Sequence, residues 1–266
     1  MKNIYKLSVI VLIASMALIS CKKEKTVEPE PVPPPLAPVT GNLKIEFEAM
    51  VGDSALVFGT SNTTYTNQAG NTFNVTTYEY YISNIKITKT DNSVWTESNS
   101  YYLVDHSDPT KEIITIANVP FGSYKAIEFM IGVDSTRNNS GAQTGALDPA
   151  NGMFWSWNSG YIMAKFEGTS PQSGEASKNL KFHIGGFSGN NKTMRIVSPS
   201  FNSETANVTS TFSPTIHMEN NLLEWFNTPT NVDFSSTHTV HMPGATAVSI
   251  ANNYSKMFTV EHIHNN

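Results

Sequence analysis

Short stretches of alternating apolar and polar residues are the feature that most limits how this chain can fold. In residues 43–48 every second side chain is apolar, and residues 73–87 are rich in β-branched and aromatic side chains. Both patterns are typical of β-strands. Further strands are predicted at residues 100–105, 113–119, 124–133, 161–167, 179–184, 194–197, 212–219 and 258–264.

Two segments predict short helices. Residues 220–226 begin with asparagines that can cap a helix and are followed by Asn227 and Pro229, which end it. Residues 247–257 carry Ile250, Tyr254 and Met257 on one helical face. The predicted fold is therefore mainly β: a single β-sandwich or open barrel with one or two short helices, formed by residues 41–266.

The N-terminal residues have the pattern of a signal sequence for export from the cytoplasm. Lys2 and Lys6 precede a short apolar segment that ends at Cys21 and is too short to span a membrane. We expect residues 1–20 to be a lipoprotein signal peptide, and residues 21–40 to be the lipidated Cys21 and a proline-rich tether. A plain secretory signal with an incidental cysteine is the alternative. The expected location is the cell envelope, lipid-anchored, and either periplasmic or associated with the outer membrane.

Composition excludes several kinds of chemistry. The net charge of −5 argues against a nucleic-acid partner. Cys21 is the one cysteine, so the mature chain can form no internal disulfide and offers no other thiolate ligand or nucleophile. The chain contains no G-x-S-x-G, H-E-x-x-H, Walker or Rossmann motif. We therefore expect a protein that is not an enzyme, although a glycosidase-type carboxylate pair would leave no short motif.

Histidines concentrate near the C-terminus, where five of the seven lie between His217 and His264. His262 and His264 are two residues apart, a spacing that puts both imidazoles on one face of a strand. Without a thiolate, imidazoles suit copper best, and zinc is possible. His217, His241, His262 and His264 are therefore candidate metal ligands. The alternative is a surface or hydrogen-bonded role for each histidine, and a frayed tail for His262 and His264. His106 is predicted to be a solvated loop residue.

The segment from 138 to 161 combines glycine and asparagine with Met153, Phe154, Trp155, Trp157 and Tyr161. Such an aromatic load is unusual for a surface loop, so we expect a shaped site beside a group of histidines. Simple packing of the two tryptophans is the alternative.

Two acidic residues belong to the same region of the sequence. Asp134 and Asp148 could hold calcium, but their spacing matches no EF-hand loop. Asx-turn or helix-capping roles that structure the loop are the preferred interpretation.

Three segments of the chain resemble the MbnP-like proteins, which are methanobactin-associated periplasmic proteins and their lipoprotein relatives in Bacteroidetes. The segments are VPFGSYKAIEFMIGVDS, NNSGAQTGALDPANGMFWSWNSGYI and KFHIGGFSG, and GMFWSWNSGY is the most specific part. The resemblance implies copper binding outside the cytoplasm by histidine ligands, with His183 and the Trp155/Trp157 block as the positions carried over. In some relatives a tryptophan is oxidised to kynurenine by a dihaem peroxidase-like enzyme, which the resemblance implies as a partner.

Two functions are thus predicted. The first is an extracytoplasmic copper-binding lipoprotein that acquires, buffers or hands on copper through histidines beside a tryptophan-rich loop. The alternative is a metal-free β-sandwich module that recognises a carbohydrate, a peptide or a partner protein through the aromatic loop.

Overall fold

A computed structural model describes residues 39–59, 64–157 and 160–266. The predicted signal peptide, Cys21 and nearly all of the proline-rich tether lie outside these residues. Within the three described ranges, no helix has the length and apolar character that crossing a membrane requires.

The described chain is mainly β-strand, as the sequence predicts. In chain order the strands are β1 Thr40–Val51, β2 Ser54–Ala55, β3 Tyr65–Thr66, β4 Thr72–Lys89, β5 Val94–Thr96, β6 Tyr101–Asp105, β7 Ile113–Pro120, β8 Gly122–Ile131, β9 Phe154–Trp155, β10 Gly160–Thr169, β11 Asn179–Gly185, β12 Arg195–Val197, β13 Ala206–Val208, β14 Thr215–Asn221, β15 Thr239–Val240 and β16 Phe258–His264. The α-helices are α1 Ser135–Asn139 and α2 Ala245–Tyr254, and 3-10 turns occupy Pro109–Lys111, Gly145–Leu147, Pro149–Asn151, Gly189–Asn191 and Leu222–Trp225.

The strands form two sheets. The small sheet has the order β16-β14-β1, with β2 and β7 both paired to the other edge of β1. β1 and β14 run parallel, whereas β14 and β16 run antiparallel. The large sheet has the order β12-β8-β4-β10-β11-β15, and β3, β5, β6, β9 and β13 extend it.

The main core lies between the two sheets. Along β1, Leu43, Ile45 and Phe47 are buried while the residues between them are more exposed, which is the expected pattern for a strand with one solvated face. The ring of Phe47 packs edge-on against Tyr80 of the large sheet at 6.1 Å and against Phe258 of β16 at 5.8 Å. Such aromatic contacts join the sheets, and the prediction of a mainly β sandwich is confirmed.

A second, smaller cluster covers the opposite face of the large sheet. Tyr80 points into the main core, whereas the next residue, Tyr81, belongs to the second cluster. The segment between β8 and β10 supplies much of this cluster. Its buried members are Tyr81, Val133, Leu147, Met153, Trp155, Tyr161, Ile162 and Met163.

The two predicted helices had different outcomes. The helix predicted at residues 247–257 is present as α2, which starts two residues earlier, at Ala245, and ends three residues earlier, at Tyr254. Residues 220–226 are not an α-helix, because β14 extends to Asn221, which then caps the 3-10 turn Leu222–Trp225 by accepting from the backbone N–H of Leu223. Strand pairing with β16 and burial of the apolar residues outweigh the local helical pattern here.

Candidate metal centre

Three histidines meet on the outer face of the small sheet. His217 on β14 is paired directly with His262 on β16, and His264 follows two residues later on the same face. The inward residues of these strands, Ile216 and Ile263, are buried in the main core. We call His217, His262 and His264 the histidine cluster.

An irregularity in β16 creates this arrangement. His217 is paired with His262, but the next pair is Met218 with Val260, so Glu261 is an extra residue. Val260 is buried, whereas Glu261 and His262 both reach solvent. A β-bulge of this kind turns two consecutive side chains toward the same face.

The geometry of the cluster suits a metal ion. One ring nitrogen from each histidine lies within 4.8 Å of the others. The rings of His217 and His262 stack with centroids 4.2 Å apart, and that of His264 lies 4.4 Å from His262. Nitrogens bound tetrahedrally at about 2.0–2.1 Å from a metal are about 3.4 Å apart. Rotation of the rings would therefore bring the three nitrogens to the spacing that a bound metal requires.

Carboxylates approach two of these imidazoles. Oε2 of Glu46 is 3.3 Å from Nδ1 of His217, and Oε2 of Glu261 is 3.3 Å from Nδ1 of His262. Both acids are partly exposed. They give the surface around the cluster a negative charge that favours a cation.

Further acids lie beside the cluster. Burial first, and then the neighbouring charges of Glu261, Glu48 and Asp53, raise the pKa of the Glu219 carboxyl. The like charges of these three acids make a second, smaller contribution, and they add negative charge beside the cluster.

His217 is held in the form that binds metals. Burial lowers the pKa of its imidazole, the charges of His262 and His264 lower it further, and Glu46 opposes the change. A lowered pKa keeps the ring neutral at mildly acidic pH, and only neutral imidazole is a metal ligand.

His183 lies elsewhere, on β11 of the large sheet. Its Nε2 is 2.6 Å from Oε1 of Glu167 on β10. This hydrogen bond is the main reason that the pKa of the Glu167 carboxyl is below its ordinary value. The structure thus places His183 in an ion-pair arrangement outside the histidine cluster.

His241 also lies outside the cluster. It is exposed and directly follows β15, which pairs with β11 of the large sheet. Of the five histidines proposed as ligands, the structure brings together His217, His262 and His264, and separates His183 and His241 from them.

His106 is buried, so the prediction of a solvated loop residue is wrong. Its Nδ1 is 2.8 Å from Oε1 of Glu112, and its Nε2 is 3.1 Å from the hydroxyl of Tyr80. Its ring stacks on Tyr78 at 5.1 Å. These partners replace water, which is how a buried imidazole is tolerated.

The two tryptophans have different environments. Trp155 is buried in the second cluster, and a side chain at Gly185 would come within 2.6 Å of its ring. Trp157 is 58% exposed, with its ring centroid 5.3 Å from that of Trp155. Both belong to the side of the large sheet, so the aromatic segment neighbours the strand of His183 and is not part of the histidine cluster.

Asp134 and Asp148 cap helical turns. The Asp134 carboxylate accepts from the backbone N–H groups of Thr136 and Arg137 at the start of α1, and also from the Tyr101 hydroxyl. Asp148 accepts from the backbone N–H of Ala150 at 2.8 Å. Among the residues that the structure covers, neither belongs to a group of metal ligands, so calcium binding has no support.

Comparison with known families identifies the chain. The family model named MbnP matches residues 40–243. The chain belongs to the MbnP family. The resemblance noted in the sequence is therefore confirmed, and with it an association with copper and with proteins that act outside the cytoplasm. The MbnP family is not known as a family of enzymes.

A solved structure agrees with this assignment. MbnP from Methylosinus trichosporium is similar to this chain with a TM-score of 0.52 and 12% identity, over 85% of this chain and 99% of the other. At that identity the likeness establishes a shared fold. Among proteins with curated descriptions, none matches the chain.

The histidine cluster extends beyond the family match. His217 lies within residues 40–243, whereas His262 and His264 on β16 lie after them. Its evidence is therefore the H-x-H spacing and the strand pairing of this chain. The sequence did not predict that Glu46 and Glu261 lie beside the histidines, because no motif distinguishes them from other acidic residues.

Proposed function

We propose that this MbnP-family protein binds copper outside the cytoplasm through His217, His262 and His264, to acquire, buffer or hand on the metal. The observation that carries the proposal is the convergence of three imidazoles on one solvent-accessible sheet face. Imidazole donors with no thiolate suit copper, and zinc is the main competitor. Family membership supports copper over zinc.

The decisive experiment is metal analysis of the purified protein. The protein is incubated with a single equivalent of copper, passed through gel filtration and measured for retained metal, alongside a variant in which His217 and His262 are both alanine. Retention by the wild type and loss by the variant is the expected result. Failure of the wild type to retain copper would end the proposal.

Lipid anchoring at Cys21 is part of this proposal. The apolar segment that ends at Cys21 and the proline-rich stretch after it support a domain tethered to a membrane surface. Intact mass of protein isolated from membranes, compared with a Cys21→Ser variant, measures the lipid directly.

We also propose that a dihaem peroxidase-like enzyme acts on this chain, with Trp157 as its target. The 58% exposure of Trp157 supports access by a partner, whereas Trp155 is 6% exposed. Peptide mass analysis of protein from its native host tests for kynurenine at each position. Unmodified Trp157 in copper-loaded native protein would refute this part alone.

A metal-free binding module is the second candidate. The exposed ring of Trp157 beside Trp155 favours it, because such aromatic surfaces bind sugars and peptides. Under this alternative, Trp157→Ala abolishes ligand binding and the histidine variants change nothing. A glycan and peptide array with both variants separates the two functions.

A further inference from the structure

The two stacked imidazoles of the histidine cluster turn the same nitrogen toward a carboxylate. Nδ1 of His217 faces Glu46, and Nδ1 of His262 faces Glu261, each at 3.3 Å. This repetition comes from acids on two different strands, β1 and β16.

The charge of each carboxylate selects one imidazole tautomer. A neutral imidazole has one N–H and one lone pair, and a carboxylate attracts the former and repels the latter. Each contact therefore favours the tautomer with the proton on Nδ1 and the lone pair on Nε2. In metal sites this arrangement fixes the ring orientation and raises the basicity of the ligand.

We propose that Glu46 and Glu261 are positioning residues that hold His217 and His262 in the Nδ1–H tautomer, so that copper is bound through Nε2. The part of this inference that concerns copper rests on the proposed function. The tautomers are a property of the metal-free protein and can be tested without copper.

Strand pairing and a β-bulge place the two carboxylates beside the imidazoles. The parallel pairing of β1 with β14 puts Glu46 directly opposite His217. The bulge in β16 puts Glu261 on the same face as His262. Within the described part of the chain, the compact group of donor atoms comprises the three histidines and no carboxylate, so both acids act from outside it.

The competing explanation is that any nearby negative charge attracts copper equally well. Glu48 provides the matched control, because it is on the same strand as Glu46 and is exposed. It is paired with Glu219 and not with a histidine. Glu48→Ala removes the same charge from the same face without changing what an imidazole contacts.

The first test is nitrogen NMR of the metal-free, full-length protein at a pH where the rings are neutral. We expect the Nδ1–H form for His217 and His262 in the wild type and in Glu48→Ala. In Glu46→Ala the signal of His217 should move toward the Nε2–H form that free histidine prefers, and that of His262 should stay. Wild-type rings in the Nε2–H form would overturn the inference.

The second test is copper affinity by competition with a chelator. We expect Glu46→Ala and Glu261→Ala each to weaken binding by about 10-fold or more. Glu46→Gln should restore part of the loss, because its amide oxygen still presents a lone pair to Nδ1 although the negative charge is gone. If Glu48→Ala weakens binding as much as Glu46→Ala, general electrostatics suffices and the positioning role is refuted.

The two tests separate this inference from the proposed function. Loss of copper binding in the wild type with Nδ1–H tautomers intact would refute the copper function and leave the carboxylate–imidazole pairs in place. Tight copper binding with the opposite tautomers would leave the function standing and refute the positioning role.

Discussion

The histidine cluster and the surroundings of His183 show two uses of imidazole within one sandwich. His183 on the large sheet is committed to Glu167 by a 2.6 Å contact. In the cluster on the small sheet, carboxylates approach His217 and His262 only to 3.3 Å, and the imidazoles face one another. His183 is paired with one carboxylate, whereas the three gathered imidazoles of the cluster can offer ring nitrogens to a shared ligand while Glu46 and Glu261 approach two of them from outside.

Removing a ligand from the cluster is the largest expected effect. We expect His262→Ala to weaken copper binding by more than about 100-fold, because even substitutions outside the ligand set cost 10–100-fold. His183→Ala, the matched substitution in the other region, should change copper affinity less than threefold, or about 0.6 kcal/mol. Chelator competition measures both, and equal losses would erase the distinction between the regions.

The tryptophans sharpen the same comparison on the large sheet. We expect Trp155→Ala to lower the free energy of unfolding by about 3 kcal/mol, since it empties a buried site against Gly185. Trp157→Ala should cost less than about 0.5 kcal/mol because the side chain is exposed. Urea unfolding tests this pair, and neither variant should alter copper affinity if the cluster is a separate site.

Substitution of His183 should lower the stability of the fold more than substitution of an exposed histidine of the cluster. We expect His183→Ala to lower the free energy of unfolding by about 1 kcal/mol, because the partly exposed Glu167 carboxylate loses its short hydrogen bond with His183 and keeps only the longer one from Thr77. His264→Ala, at an exposed position, should stay within about 0.5 kcal/mol. A reversed order in urea unfolding would mean that the cluster is structural.

Acid should affect the two regions in different pH ranges. Burial lowers the pKa of His217, so protonation of this ring should compete with copper only below about pH 6.5, the ordinary value for histidine. NMR titration of the His217 ring in the metal-free protein is the measurement. A His217 ring that is half protonated above about pH 6.5 would contradict a lowered pKa.

The Glu167 carboxyl has a pKa below its ordinary value, so its contribution to stability is present above about pH 4.3. That contribution is lost as the pH falls through the folded pKa. The stability difference between wild type and Glu167→Gln should therefore shrink only in that acidic range. A difference that vanishes already near neutral pH would show that the pair does not stabilise the fold.

The strands were largely readable from the sequence because alternation is a local property. Residues 258–264 match β16 and residues 179–184 match all but the last residue of β11. The H-x-H spacing of His262 and His264 correctly indicated one face of that strand. The helix predicted at residues 220–226 was wrong, because strand pairing and burial outweighed the capping asparagines.

The chain's own sequence therefore determined a mainly β sandwich of the MbnP family, the H-x-H spacing that supplies two of the three residues of the histidine cluster, and the absence of any cysteine other than Cys21. Only the tertiary structure decided that His217 meets His262, that Glu261 forms a bulge, and that His183 is paired with Glu167. It also decided that His106 is buried and that Trp155 and Trp157 differ in exposure. The physical reason is that alternation depends on neighbouring residues, whereas register and partner choice depend on contacts between strands that are distant in the chain.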